Sequence, residues 1–96
     1  MFNSYEADFG KVNWNWCHSL CIQMDEIEEL LGLPEHSWLY LQGDRAYEIV
    51  GYTQYRKFLS VTFTLEAQQV VIENVNLPSY ASIRDVIIRQ FLAAAE

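Results

Sequence analysis

The stretch that most limits the fold runs from Ser37 to Val75. Four strand-length runs lie there, Ser37–Gln42, Arg45–Tyr52, Lys57–Leu65 and Gln69–Val75, separated only by Gly43-Asp44, the Thr53-Gln54 region and Glu66-Ala67-Gln68. Connections this short cannot carry the crossover that parallel strands need, so consecutive strands must be antiparallel neighbours. Within Lys57–Leu65, Leu59, Val61, Phe63 and Leu65 alternate with Ser60, Thr62 and Thr64. That period of two is the mark of a sheet with one covered face and one wetter face.

The apolar period changes on either side of this block. Upstream, Cys17, Leu20, Cys21, Met24, Ile27, Leu30 and Leu31 fall three and four residues apart. They predict a helix over residues 15–31, capped by Asn13 or Asn15 and stopped by Gly32 with Pro34 behind it. Gln23, Asp25, Glu26, Glu28 and Glu29 then form its wet side. Downstream, Pro78-Ser79 breaks the sheet, and Ser82 with Asp85 has the spacing of a capping box, Ser79 being an alternative cap. A closing helix over about 80–94 puts Ile83, Val86, Ile87, Phe91 and Ala94 on one face, which Ile88 and Leu92 widen beyond what a single sheet contact requires. Either that helix is wedged between the sheet and the first helix, or its excess apolar arc is an interface.

The fold class expected is therefore α+β: an N-terminal helix, an antiparallel three- to four-stranded meander, and a C-terminal helix packed on one sheet face, with both helices on the same face. Residues 1–96 suit a single domain, with residues 1–10 as a loosely ordered or edge segment. Neither a signal peptide nor a membrane span is expected, and with only two cysteines a disulfide framework is excluded. A cytoplasmic protein with two free thiols is the simplest account.

Charge narrows the function. Thirteen acids against six bases give −7, and the scattered bases suit phosphate neutralisation poorly, so nucleic-acid binding is disfavoured. An acidic chain suits a basic protein partner or simple solubility.

Three groups of residues invite a chemical reading. Cys17, His18 and Cys21 lie close in sequence, but structural zinc asks for four ligands and a second pair is missing, with only His36 left elsewhere. The CxxxC spacing is also not that of a redox pair, and no base lies nearby in sequence to lower a thiol pKa. The two cysteines continue the helical stripe and read as packing residues, so no metal and no cofactor is expected. Asp25, Glu26, Glu28 and Glu29 read as a solvated helix face. Trp38, Tyr40, Tyr47, Tyr52 and Tyr55 make the hairpins aromatic, either as core and cross-strand pairs or as the lining of a ligand pocket.

The segment from Gly43 to Thr64 resembles the centre of the BrnT-type toxins, which have the RelE-like ribonuclease-toxin fold. Trp14 or Trp16, Glu28-Glu29 (or Glu26), Arg45, Gly51, Thr53, Arg56 and Val61-Thr62-Phe63-Thr64 fill the places of that family's pattern, over about residues 12–90. The resemblance implies an endoribonuclease paired with an antitoxin, with Arg45, Arg56, Lys57 and Arg84 as the bases left to face phosphate. The chain departs from the family where several arginines are expected, reading Asn74–Arg84 with Arg84 alone. Fold analogy does not confer activity. The reading that follows is a small acidic domain with a toxin-like fold, no catalytic activity and a protein-interaction role. Its partner is an antitoxin-like protein or a second copy, and Trp38, Tyr40, Tyr47, Tyr52, Ile88 and Leu92 are the candidate interface residues. The rivals are a ribonuclease toxin and a small-molecule binder with an aromatic pocket.

Overall fold

Strand alternation puts Ile49, Leu59, Val61, Phe63, Val70, Ile72 and Val75 on one side of a sheet, and all seven are buried in one cluster. The computed structural model describes residues 6–32, 37–43 and 45–95. Its elements are β1 (Glu6–Asp8), α1 (Trp14–Ser19), α2 (Met24–Gly32), β2 (Ser37–Leu41), β3 (Ala46–Tyr52), β4 (Phe58–Glu66), β5 (Gln69–Asn76) and α3 (Tyr80–Ala95). The architecture is mixed α+β, with the strands in one sheet ordered β1-β5-β4-β3-β2. Strands β2 to β5 pair antiparallel in chain order. β1 adds a fifth strand, parallel to β5, with Ala7 opposite Val70. The expected three- to four-stranded meander is one strand short because three residues are too few to show a period.

The single helix expected over 15–31 is two helices. Asn13 caps α1, its Oδ1 accepting from the Trp16 N–H at 3.1 Å. The helix ends because Cys21 takes a left-handed conformation, φ 58. The Ile22 N–H then reaches back to the Cys17 carbonyl at 2.8 Å and the Cys21 N–H to that of His18 at 3.1 Å. This is a Schellman stop, in which the left-handed position is usually glycine. Its usual apolar contact fits too: Cys17 and Ile22 are both buried in the core cluster. The stop turns Cys21 outward, exposed, while Cys17 stays buried. The two thiols therefore do not share a helix face, and the stripe that joined them is broken between them.

The helices do not lie on one face of the sheet. Ile27, Leu30 and Leu31 of α2, with Cys17 of α1, join the cluster that includes Ile49, Val61 and Phe63. Tyr40 and Val50 point the other way, by parity with Leu39 and Ile49. Tyr40 donates to Asp85 of α3 at 2.5 Å, so α3 covers this second face. Val86 of α3 is fully buried there, as is Val50. Helices on both faces of a sheet explain why Val50, Ser60 and Val71 are buried although they alternate with the first face's core residues. The α3 cap is Ser79, whose Oγ accepts from the Ser82 N–H at 3.2 Å, rather than a box between Ser82 and Asp85.

Candidate interaction surface

Two polar clusters fasten the helices and consume several of the residues with chemical potential. The first is built on Glu26, which is fully buried although the helical period places it on the wet side. It stands at the third position of α2 and accepts the Gln23 N–H at 3.0 Å, half of a capping box. Thr53 Oγ1 donates to its other oxygen at 2.8 Å, and Lys57 Nζ pairs with it at 3.1 Å. Lys57 also donates to the Cys21 carbonyl, at the Schellman stop. Around this pair, Glu29 accepts the Gln54 N–H at 3.1 Å and Asp25 accepts the Tyr55 hydroxyl at 2.8 Å. The latter bond raises the Tyr55 phenol above its ordinary range, the nearby carboxylate charge adding to it. The acidic face of α2 is thus partly a clasp on the β3–β4 turn. That turn closes with Thr53 N–H to the Lys57 carbonyl at 2.8 Å and Arg56 N–H to the Thr53 carbonyl at 3.0 Å, Arg56 taking φ 62.

The second cluster fastens α3. Asp85 accepts from Tyr40 and pairs with Arg89 Nε at 3.0 Å, and the Arg89 guanidinium lies over the Tyr40 ring, 5.6 Å from its centre. Burial and then the Asp85 hydrogen bond push the Tyr40 phenol up to about 12. The same bond, with that from Arg89, holds the Asp85 carboxyl below its ordinary range. Close by in the sheet, Ser60 donates to Glu48 at 2.5 Å.

The four candidate bases do not form a cluster. Arg45 precedes β3 and Arg56 and Lys57 follow it, so a seven-residue strand, about 23 Å long, lies between them. Lys57 is engaged by Glu26, and Arg84 is on α3 across the sheet from it. Of the six candidate interface residues, Tyr40 is spent on α3. Tyr47 stacks on Phe63 with centroids 5.6 Å apart, on the core side, and Tyr52 leans on Phe58 at 4.9 Å. The Trp38 side chain lies outside the described residues, although its backbone pairs with Val50. His36 and Asp44 also lie outside them.

Ile88 and Leu92 do form part of a surface. Tyr80, Ile87, Ile88, Phe91 and Leu92 of α3 are between 49 and 82 % exposed. At about 100° per residue, they occupy the half of the helix turned away from Val86. Val86 faces inward, fully buried, and Ile83 lies half-buried at the boundary between the two sides, so the apolar arc of α3 runs from its inner to its outer side, the pattern of a helix buried all round. Tyr80, Ile83, Arg84, Ile87 and Ile88 line a shallow depression of about 130 Å³ on this outer side. Ile87 and Phe91, expected on one face with Val86, are instead exposed on this outer side while Val86 is buried, and Tyr80 joins them there. Their spacing along the closing helix was visible in the sequence, but its inner and outer faces could not be assigned before the helix was placed on the sheet.

No helix of the described residues is long and apolar enough to cross a membrane, and none of their His, Cys, Asp and Glu side chains group in threes that could hold a metal ion. A comparison with protein-family models, with curated proteins and with solved structures gives no match to this chain.

Proposed function

We propose that this chain is a non-catalytic protein-interaction domain of the cytoplasm that engages its partner through the outer face of α3. One observation carries the reading: five large apolar side chains lie exposed on the side of a helix whose other side is already packed. Taking 150–250 Å² for a whole aromatic side chain and less for an aliphatic one, they leave roughly 500–600 Å² of apolar surface in water. A monomer's largest patch is about 300–600 Å² and often functional. The resemblance to BrnT-type toxins enters as one of fold, without the ribonuclease activity, because Arg45, Arg56, Lys57 and Arg84 are dispersed. The depression on α3 is small against the roughly 300–1,000 Å³ of ligand pockets, which favours a side chain over a small molecule as its occupant.

Two measurements test this reading. Purified protein is expected to leave RNA intact, and partners held by the wild-type chain are expected to be released by Ile88→Glu. RNA cleavage abolished by Arg56→Ala or Arg84→Ala would overturn it, as would partners that bind Ile88→Glu as well as they bind the wild type.

A further inference from the structure

We infer that the occupant of the α3 face is a second copy of this chain, seated with its own α3 antiparallel to the first across a two-fold axis. The inference rests on the interaction reading above and names its partner.

The first support is the symmetry of the pattern. Arg84, Ile87, Ile88 and Phe91 all lie on the outer side of α3, and their spacing of three, one and three reads the same in both directions. An antiparallel copy centred between Ile87 and Ile88 therefore sets Ile87 of one chain opposite Ile88 of the other. It also sets Phe91 of each chain opposite Arg84 of the other. This is the self-complementarity that a two-fold interface demands.

The second support is shape. Phe91 is among the most exposed apolar side chains of the described residues, at 73 %, and stands out as a knob. The residues around Arg84, namely Tyr80, Ile83, Ile87 and Ile88, line the depression of about 130 Å³. The antiparallel register sends each Phe91 into the other copy's depression, a knob into a hole made by neighbouring turns of a helix. There the Arg84 guanidinium meets the Phe91 ring face, and its aliphatic stem covers apolar surface while its charge reaches the rim.

Area and charge agree. Two faces of roughly 500–600 Å² bury about 1,000–1,200 Å², at the lower limit for a specific interface. The interface is therefore weak enough to be concentration-dependent. α3 carries Arg84, Asp85 and Arg89, whereas Asp25, Glu26, Glu28 and Glu29 belong to α2 on the opposite face of the sheet. Pairing through α3 thus joins two chains of net charge −7 while holding the two acidic helices on the far sides of the assembly.

The test is light scattering and sedimentation over the micromolar range. The expected species has twice the 11.2 kDa chain mass at the upper end. Phe91→Ser and Ile88→Glu, both at exposed positions and checked by circular dichroism for retained structure, are each expected to weaken the dimer at least ~30-fold. Register is read by mixing Arg84→Cys chains with Phe91→Cys chains, both carrying Cys21→Ser, and oxidising them: disulfides are expected between unlike chains and not between like ones. A monomer at every concentration overturns the inference, as does a dimer indifferent to Phe91→Ser and Ile88→Glu. Disulfides between like chains, or none in a dimeric mixture, overturn the antiparallel arrangement. If the chain is monomeric and still holds a different protein in an Ile88-dependent way, the second copy is refuted and the interaction reading stands.

Discussion

Lys57→Met is expected to destabilise the fold far more than Lys11→Met, although the two lysines make ion pairs of almost the same length. Lys57 Nζ lies 3.1 Å from Glu26 and Lys11 Nζ 3.2 Å from Glu73. What separates them is water. The Glu26 side chain is 0 % exposed and that of Lys57 26 %, against 32 % for Glu73 and 60 % for Lys11. Removing one member of a buried pair typically costs 3–5 kcal/mol because the other charge stays in the interior. Water reaches Lys57 in part, and Thr53 and the Gln23 N–H still serve Glu26, so about 2–3 kcal/mol is expected. For a domain of this size that lowers Tm by roughly 10–20 °C. The Lys11 pair is screened and is expected to contribute less than about 1 kcal/mol. Urea unfolding followed by tryptophan fluorescence, with Glu26→Gln and Glu73→Gln completing two double-mutant cycles, measures both couplings. The Glu26–Lys57 coupling should exceed about 1 kcal/mol and survive ~1 M salt, where the Debye length is near 3 Å. The Lys11–Glu73 coupling should vanish there. Equal losses for Lys57→Met and Lys11→Met, or a Glu26–Lys57 coupling below about 0.5 kcal/mol, would refute the reasoning.

Three further outcomes follow from particular residues. Cys21→Gly is expected to raise stability by about 0.5–1 kcal/mol in the same unfolding assay, since glycine takes the left-handed position at the α1 stop without steric cost. A loss of stability would show that the stop does not persist in solution. In the native protein Cys21 should react with a thiol reagent while Cys17 reacts only on unfolding, its thiol buried and its pKa raised by that burial. Tyr40 supplies a pH test. Its folded pKa of about 12 lies above the ordinary phenol value of 10, so its contribution is complete below pH 10 and is lost as pH rises through 12. Asp85 is shifted down from 3.8, so its contribution is present above that value and is lost as pH falls. Tyr40→Phe should flatten the alkaline limb of a plot of Tm against pH, and an unchanged limb would exclude the bond to Asp85 as its cause.

The strand runs and the closing helix were legible because each repeats a period over enough residues to be counted. β4 spans Phe58–Glu66 and α3 Tyr80–Ala95, within two residues of the expected bounds. The break in the first helix leaves no mark in the sequence. Cys17, Leu20, Cys21 and Met24 keep a helical spacing across a stop that glycine would have announced and cysteine conceals. The burial of Glu26 is hidden for the converse reason. Acids beside it are exposed, and only the Thr53–Lys57 turn, which the sequence could not place, makes a buried carboxylate tolerable. A glutamate three residues after Gln23 was a faint signal, since Gln is not among the favoured caps. The side of the sheet taken by α3 depends on how the Leu77–Ser79 connection crosses the sheet edge, and no local pattern records that. The outer face of α3 inherits the same gap: its apolar width was visible, its direction was not.

The parallel pairing of β1 with β5 joins Glu6 to Gln69, residues with two helices and three strands between them in the chain. Such a contact forms only after the meander has brought β5 into place, because closing so long a loop is unfavourable until other contacts have shortened it. Until then β5, with Val70, Val71, Ile72 and Val75, offers an open strand edge to any other extended chain. Three residues of β1, held by the Glu6 N–H to the Gln68 carbonyl at 2.9 Å and by the Lys11 pair with Glu73, therefore act as a seal applied late in folding. Its strength sets how long a newly made chain stays open to mispairing. Weakening that seal would show first as aggregation during refolding, before any change in the finished protein's stability.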